Sequence, residues 1–224
     1  MNQQTAFPCP RLGAGRALFF ARVRPMRCED IATHPDFRPL SSLPGLTVDL
    51  RYAGPRNFVG RSLYGDLDCA WLHRLAADGL LRSGAALARS APGHRLHVLD
   101  ALRPHRVQVL LWRHLEGTGL QQYVADPALG SIHSFGMAVD VTVVDGAGHE
   151  LDMGTGYDEM DELSHPRLEA RHLERGALTA RQVGHRELLR RAMAAGGFNG
   201  IDNEWWHFDM LDRQHVRRHF TRVE

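Results

Sequence analysis

The spacing of hydrophobic and polar residues predicts short strands and helices in mixed order along this chain. Apolar residues alternate with polar ones, or form short runs, in four stretches typical of strands: 46–53, 95–102, 137–144 and 205–211. Apolar residues recur at helical spacing in three others: 67–89, 105–117 and 179–190 or beyond. No strand-helix-strand unit repeats, so the pattern favours a mixture of helices and hairpins.

Capping and turn residues mark the ends of several predicted elements. Pro104 suits the first turn of the second helix, and Thr179 suits the N-cap of the third, which Gly196-Gly197 would end. The Asp-Gly-Ala-Gly stretch at 145–148 predicts a turn after which the chain returns antiparallel. The acidic, glycine-containing stretch 152–176 predicts a long loop that forms part of a cleft.

The first 45 residues show little periodicity. Six of the 11 prolines fall between residues 8 and 44, and proline interrupts both helices and strands. We therefore predict an irregular N-terminal extension over 1–45, followed by one catalytic domain over 46–224.

Composition and charge exclude several classes of function. The 27 basic residues are all arginine and are balanced by 26 acidic residues, for a net charge of +1. This balance gives no electrostatic reason to expect nucleic acid or an anionic membrane as a partner. The absence of lysine excludes Schiff-base catalysis by a lysine and the lysine of a phosphate-binding loop.

The cysteines and the apolar segments predict a cytoplasmic protein. Cys9, Cys28 and Cys69 are odd in number and have no C-x-x-C spacing, so free thiols in a reducing compartment are expected. The apolar run at 17–21 is too short for a signal peptide. No run approaches the roughly 20 apolar residues that span a bilayer.

Two distant segments carry residues suited to one metal ion. The stretch SIHSFGMAVD at 131–140 contains His133 and Asp140, and the stretch EWWH at 204–207 contains Glu204 and His207. Two histidines and a carboxylate leave the fourth position of zinc open for water, as in catalytic rather than structural sites. Glu204 is close enough in sequence to His207 to act as a base at the same ion. Iron oxygenases use the same ligand types, so these residues alone leave the metal open.

Five motifs in the same order resemble the D-alanyl-D-alanine dipeptidases, the zinc enzymes of vancomycin-resistance type. They are LRYAGPRNFVG, LDALRPHR, SIHSFGMAVD, LDMGTGYDEM and EWWHF, and they extend over about 46–211. The resemblance implies an α+β domain with a small antiparallel sheet and flanking helices. This fold is shared with the zinc D,D-carboxypeptidases and the hedgehog signalling domain.

The resemblance also implies the metal and its chemistry. It assigns one Zn2+ per chain to His133, Asp140 and His207, and it assigns Glu204 as the general base that activates water and then protonates the leaving amine. The first 45 residues have no counterpart in the motifs, and His149 and His165 stay without a role.

Four further residues match the family's positions around the substrate. Arg103 would stabilise the oxyanion of the tetrahedral intermediate, although a structural ion pair with Asp100 explains it equally well from the sequence alone. Asp158 and Tyr52 match the site of the substrate ammonium, and Ser131 matches the hydroxyl that holds the terminal carboxylate. Without the family resemblance, Asp158 would be read as a charged loop residue, Tyr52 as an aromatic residue of the core and Ser131 as a serine in a turn.

The expected function is zinc-dependent hydrolysis of D-alanyl-D-alanine, or a similar D,D-dipeptide, to free amino acids. One alternative is a zinc D,D- or L,D-carboxypeptidase acting on peptidoglycan peptides, and another is a zinc-binding module without turnover. The partner is a small dipeptide, and the sequence does not indicate the oligomeric state.

Overall fold

The computed structural model describes residues 24–224, and the elements are named in chain order. The strands are β1 (Phe37–Pro39), β2 (Leu46–Val48), β3 (Trp71–His73), β4 (Arg95–Asp100), β5 (Ala138–Val144), β6 (Phe198–Gly200) and β7 (His207–Met210). The α-helices are α1 (Arg74–Ser90), α2 (His105–His114), α3 (Glu169–Glu174), α4 (Ala180–Ala195) and α5 (Arg213–His219). Short 3-10 helices connect several of them.

A five-stranded sheet in the order β2-β4-β5-β7-β6 forms the centre of the fold. Three of its neighbouring pairs are antiparallel and one, β2 with β4, is parallel. The predicted α+β fold with a small antiparallel sheet is confirmed, with β2 added in parallel at one edge. The register sets Asp140 of β5 opposite Asp100 of β4 on one side and His207 of β7 on the other. Three polar side chains thus lie in one row across the middle of the sheet.

The central strand β5 is buried along its whole length because both faces of the sheet are covered. Val139, Val141 and Val143 belong to the main hydrophobic core, which also takes in apolar residues of α1 and α4. These two helices pack on each other as well as on the sheet. The opposite face of β5 carries Asp140, so the polar site is supported from behind by the main hydrophobic core.

Two predicted elements begin or end several residues away from the predicted position. The helix predicted from residue 67 begins at Arg74, because Trp71–His73 pairs with Phe37–Pro39 as a second, two-stranded sheet. The strand predicted over 46–53 ends at Val48, and Arg51–Ala53 forms a 3-10 turn instead. Local periodicity does not reveal a pairing with a segment over 30 residues away, so these boundaries were wrong.

The predicted long loop is partly helical. Within 152–176 the chain forms two 3-10 turns and α3, and the helix α5 near the C-terminus was not predicted. The expected return strand after the 145–148 turn is reduced to a bridge between Val144 and Glu150. Among the described residues, no helix is long and apolar enough to cross a membrane.

The described part of the predicted extension is structured. From residue 24 onward it forms a 3-10 helix at Cys28–Thr33 and the strand β1, and Cys28, Ile31 and Phe37 are buried in a second core cluster. Residues 1–23, including Cys9 and the apolar run at 17–21, lie outside the described residues. The division of the chain at residue 45 stays a prediction.

A glycine between two candidate metal ligands permits a close backbone contact. Gly136 has φ of 62°, and a Cβ atom placed there would lie 2.7 Å from the backbone nitrogen of His73. We expect Gly136→Ala to lower the free energy of unfolding by about 3 kcal/mol or more, since left-handed strain and a backbone clash add together.

Gly93→Ala is the matched control for this substitution. Gly93 also has a positive φ, of 87°, but nothing lies within 4 Å of the added Cβ. We expect Gly93→Ala to lower the free energy of unfolding by about 1 kcal/mol, from backbone strain alone. If urea unfolding gave the same decrease in unfolding free energy for both variants, the close contact between Gly136 and the backbone of His73 would not be important for stability.

Candidate metal centre

Three elements bring the candidate ligands together. His133 lies on the 3-10 helix Ile132–Phe135, Asp140 on β5 and His207 on β7. One ligand atom from each of the three lies within 4.8 Å of the others, and all three residues are buried. Within residues 24–224, these three side chains form the one group of histidine, cysteine or acidic residues placed closely enough to hold a metal ion.

The imidazole of His133 is oriented by the backbone. Its Nδ1 lies 2.7 Å from the carbonyl oxygen of Ala101. Because a carbonyl only accepts, Nδ1 carries the hydrogen and donates it. The lone pair is therefore on Nε2, which lies 3.1 Å from Nδ1 of His207 and 3.3 Å from Oδ1 of Asp140. This is the tautomer that a metal ligand needs.

A carboxylate orients the second imidazole. Nε2 of His207 donates to Oδ1 of Asp209 at 2.9 Å, while its Nδ1 lies 2.9 Å from Oδ1 of Asp140. Asp209 in turn accepts from Nε of Arg213 at 2.6 Å. Sequence reasoning missed Asp209, although the alternation of side chains along a strand places residues 207 and 209 on one face. Such outer partners fix the tautomer and direction of a metal-binding histidine.

The two oxygens of Asp140 have separate partners. Oδ1 faces the two histidines, whereas Oδ2 accepts from the hydroxyl of Tyr157 at 2.9 Å and from Arg103 at 3.3 Å. Tyr157 was also missed, and its position in the predicted loop gave no signal of this contact. One oxygen of the carboxylate is thus held in place while the other is directed at the centre.

The charges of the cluster suit a cation. Although burial opposes it, His133 and His207 hold the pKa of Asp140 well below its usual range. Burial also opposes protonation of His207, yet the carboxylates of Asp209 and Asp140 raise its pKa to about 10. A proton on His207 therefore supplies positive charge that a divalent ion would supply instead. Two imidazole nitrogens and one carboxylate oxygen match the donors of a catalytic zinc site, so the residues present fit such a metal.

Arg103 is buried and pairs with two carboxylates. Its guanidinium donates to Asp100 at 2.9 Å and to Gln108 at 3.2 Å, besides the contact with Asp140. Tyr64 donates a short hydrogen bond to the other oxygen of Asp100. The ion pair with Asp100, which was the structural explanation of Arg103 from the sequence alone, is therefore present. Arg103 also lines the cavity next to the three candidate ligands. The ion pair with Asp100 therefore holds the guanidinium at the cavity.

Glu204 lines the same cavity. Burial raises its pKa to about 7, and the nearby positive charges of His207, Arg103 and Arg213 act in the opposite direction. A carboxylate with a pKa near neutrality is suited to take up and release a proton during a reaction. The cavity has a volume of about 140 Å³, and Ser131 and Tyr52 also contribute to its wall.

Asp158 lies at another wall of this cavity, in an unusual backbone conformation. Its φ is 61°, in the left-handed region that only a few per cent of non-glycine residues adopt. Its Oδ1 accepts from the hydroxyl of Tyr52 at 3.1 Å, while Oδ2 is buried without a hydrogen-bond partner among the described residues. Burial, with the charge of Asp140, raises its pKa well above the usual range. The site therefore contains a carboxyl group that forms no ion pair with any residue between 24 and 224.

Two aromatic contacts hold the segment that carries Asp158. Trp205 donates from Nε1 to the hydroxyl of Thr155 at 2.8 Å, and the ring of Tyr157 packs against Trp206 with centroids 5.5 Å apart. The stretch EWWH thus supports the loop as well as carrying Glu204 and His207. Of the unassigned histidines, His149 is exposed beside Asp145, and His165 contacts the hydroxyl of Tyr123 at 2.9 Å.

Comparison with known proteins gives consistent relatives. A family described as "D-ala-D-ala dipeptidase", within peptidase family M15, matches residues 36–224. The chain is 40% identical to a D-alanyl-D-alanine dipeptidase of Escherichia coli over 167 residues, which are 75% of this chain and 80% of that one. It is 27% identical to the Enterococcus faecalis enzyme of that name over 80% of this chain and 93% of that one.

A Streptomyces coelicolor D-alanyl-D-alanine dipeptidase is 29% identical over 79% of this chain and 91% of that one. Among solved structures, an LD-carboxypeptidase aligns with 82% of this chain and 73% of that one, at 14% identity and a TM-score of 0.45.

The ligand set and these relatives define a metallopeptidase. More narrowly, the chain belongs to the D-alanyl-D-alanine dipeptidase family, which confirms the resemblance inferred from its five motifs.

Proposed function

We propose that this chain hydrolyses D-alanyl-D-alanine, or a similar D,D-dipeptide, with one zinc ion held by His133, Asp140 and His207. The observation that carries the proposal is a single cavity whose wall includes this ligand set, Glu204 and the unpaired carboxyl group of Asp158. The first two are the parts of a hydrolytic site, and the third is a site for an ammonium group. The substrate connects the enzyme to the turnover of bacterial cell-wall precursors.

Each residue around the cavity has a distinct task in this reaction. A zinc ion at the three ligands would polarise the peptide carbonyl and make water a stronger nucleophile. Glu204 takes the proton from the attacking water and returns it to the leaving amine. Arg103 donates hydrogen bonds to the oxygen that becomes negatively charged, and its pairs with Asp100 and Asp140 fix its direction before the reaction.

A free dipeptide carries a charge at each end, and the cavity has a partner for each. Asp158, with Tyr52 on its other oxygen, accepts the ammonium group at one end. Ser131, buried beside His133, donates its hydroxyl to the carboxylate at the other end. A carboxypeptidase needs open space where Asp158 stands, since its peptide continues beyond that point. The unpaired oxygen of Asp158 therefore favours the dipeptidase over the carboxypeptidase.

We also place the enzyme in the cytoplasm. Cys28 and Cys69 are both free and buried, as expected for a chain in a reducing compartment.

The proposal is tested by metal analysis of the purified protein combined with a screen of alanine dipeptide stereoisomers. We expect about one zinc ion per chain, loss of activity with a chelator, and preference for the D,D isomer over the L,L isomer. Faster cleavage of longer peptides would move the assignment to a carboxypeptidase. A zinc-loaded protein that cleaves no dipeptide would be a binding module.

Arg103→Lys should separate hydrogen-bond geometry from charge at the oxyanion site. We expect kcat to fall by about 100-fold with a smaller change in KM, because a lysine lacks the forked donors that hold both the carboxylates and the oxyanion. Zinc content is measured in parallel, since Arg103 also contacts Asp140.

Arg106→Lys provides the control for Arg103→Lys. Arg106 lies on the adjoining helix α2 and pairs with Glu29 at the surface. It should retain the activity of the unchanged protein. A fall in kcat for Arg103→Lys that follows zinc loss exactly would assign Arg103 to metal binding alone.

A further inference from the structure

The cavity contains a second guanidinium group that the proposed reaction does not use. Arg213, at the start of α5, lines the cavity together with Ser131, His207 and Glu204. Its side chain is 46% exposed, in contrast to the buried Arg103. Arg213 therefore presents positive charge to the entrance of the cavity.

Within the part of the chain that the structure describes, one nitrogen of Arg213 makes a hydrogen bond. Nε donates to Oδ2 of Asp209 at 2.6 Å, and no hydrogen bond from a residue between 24 and 224 occupies the two terminal nitrogens. Arg103, by comparison, uses its Nε and both terminal nitrogens on Asp100, Gln108 and Asp140. Of the two cavity arginines, Arg213 therefore has both terminal nitrogens without a hydrogen bond to residues 24–224, whereas each terminal nitrogen of Arg103 already makes one.

The position of α5 is fixed relative to the segment that carries Ser131. Arg217, one turn along α5 from Arg213, donates from Nε to the carbonyl oxygen of Gly130 at 3.0 Å. The helix also packs against the 3-10 helix that contains His133. The Asp209 carboxylate holds the guanidinium itself, as an ion pair between residues four apart. Arg213 is therefore anchored at its helix and at its Nε, on the wall of the cavity.

The charges on the cavity wall are arranged in a way that suits a zwitterion. The unpaired carboxyl group of Asp158 lies beside Tyr52, whereas Arg213 belongs to the wall built by α5 and the neighbouring Ser131 segment. A guanidinium with free terminal nitrogens binds a carboxylate through two parallel hydrogen bonds. A serine hydroxyl alone supplies one donor and no charge.

We propose that Arg213 binds the terminal carboxylate of the dipeptide together with Ser131, and so selects substrates with a free carboxyl end. This inference rests on the proposed function and adds a residue that determines specificity. Asp209 then has two neighbours with separate tasks, since it orients His207 for the metal and Arg213 for the substrate.

The test combines removal of the guanidinium with removal of the substrate charge. Zinc-loaded unchanged protein and Arg213→Gln are assayed on D-alanyl-D-alanine and on the same dipeptide with a C-terminal amide. For the free acid we expect KM to rise by about 10- to 100-fold in Arg213→Gln at nearly constant kcat, the size of a hydrogen-bonded charge pair. For the amide we expect almost no change. If the amide is not cleaved, its inhibition constant replaces KM.

Three measurements keep this result separate from a structural effect. Arg218→Gln, on the same helix but outside this cavity, should behave as the unchanged protein. Arg213→Lys should recover part of the lost affinity for the free acid because it keeps the charge. Zinc content is measured as well, because Arg213 touches the carboxylate that orients His207. It should be the same in all variants.

The possible failures are distinguishable. Equal losses on the acid and the amide, accompanied by loss of zinc, would mean that Arg213 acts through Asp209 and would overturn the inference. No loss on either substrate, with an active unchanged protein, would also overturn it while leaving the proposed function intact. An unchanged protein that cleaves neither substrate would overturn both.

Discussion

Replacement of Glu204 by glutamine is expected to lower kcat by about 1,000-fold while zinc stays bound. Glutamine has nearly the same shape but cannot take a proton from water, and general base catalysis contributes gains of this order. The three candidate ligands are untouched, and each is held by other groups: Ala101 for His133, Tyr157 for Asp140 and Asp209 for His207. The measurements are steady-state kinetics and metal content per chain.

The pH profile gives a second measure of the same group. Glu204 must be ionised to act as a base, so kcat/KM should fall as the pH drops through its pKa. Burial raises that pKa to about 7, and a cation held by the three ligands would lower it. The acidic limb of the profile should therefore lie at or below pH 7, and Glu204→Gln should abolish it.

Glu116→Gln serves as the control, since Glu116 is an exposed residue in the turn after α2. It should keep full activity and the same pH profile. Retention of more than a tenth of kcat by Glu204→Gln would mean that another group accepts the proton. Loss of zinc from that variant would instead make Glu204 part of the metal site.

Replacement of Asp158 by asparagine should raise KM for D-alanyl-D-alanine by about 100-fold, because the ammonium group loses a charged partner in a poorly hydrated site. Cleavage of longer peptides, which have no ammonium group at this position, should change little. Kinetics on the dipeptide and on an N-acetylated form of it would measure the difference.

The same substitution should not destabilise the protein. Burial raises the pKa of Asp158 well above its usual range, so the folded chain binds a proton there that the unfolded chain releases. Stability is then lost as the pH rises above the ordinary pKa of an aspartate. Asparagine cannot ionise, so Asp158→Asn should unfold at the same or a higher temperature at neutral pH, with no gain below about pH 4.

Asp66→Asn, at an exposed position, is the control for both measurements and should change neither KM nor the unfolding temperature. A clear fall in unfolding temperature for Asp158→Asn would show that the carboxylate stabilises the fold rather than the substrate. An unchanged KM would remove Asp158 from the substrate site.

Local sequence patterns predicted those elements whose boundaries depend on nearby residues. The helix after Pro104 and the helix capped by Thr179 begin where predicted, and the capping box at Thr179 and Gln182 is present. The strand that carries Asp140 was predicted to within one residue. By contrast, β1 and β3 exist only because they pair with each other, and a three-residue strand carries too short a pattern to be recognised alone.

The chemistry of the candidate site was also available from residue types and motifs. Two histidines, an aspartate and a glutamate limit the metal and the reaction by their chemistry alone. The five motifs in order indicated the family, which the comparisons confirm. These features need only the identity and order of residues, so the sequence by itself determined the class of protein, its fold class and its candidate ligands.

Only the tertiary structure decided how those ligands are held and what else enters the cavity. Asp209 and Arg213 lie outside the five motifs, and Tyr157 lies within one of them without any sign in the sequence of its contact with Asp140. Their importance follows from the register of β5 with β7, the path of the 152–176 segment and the packing of α5. These contacts join residues brought together by strand pairing and core packing, and their geometry is fixed only when the whole domain has folded.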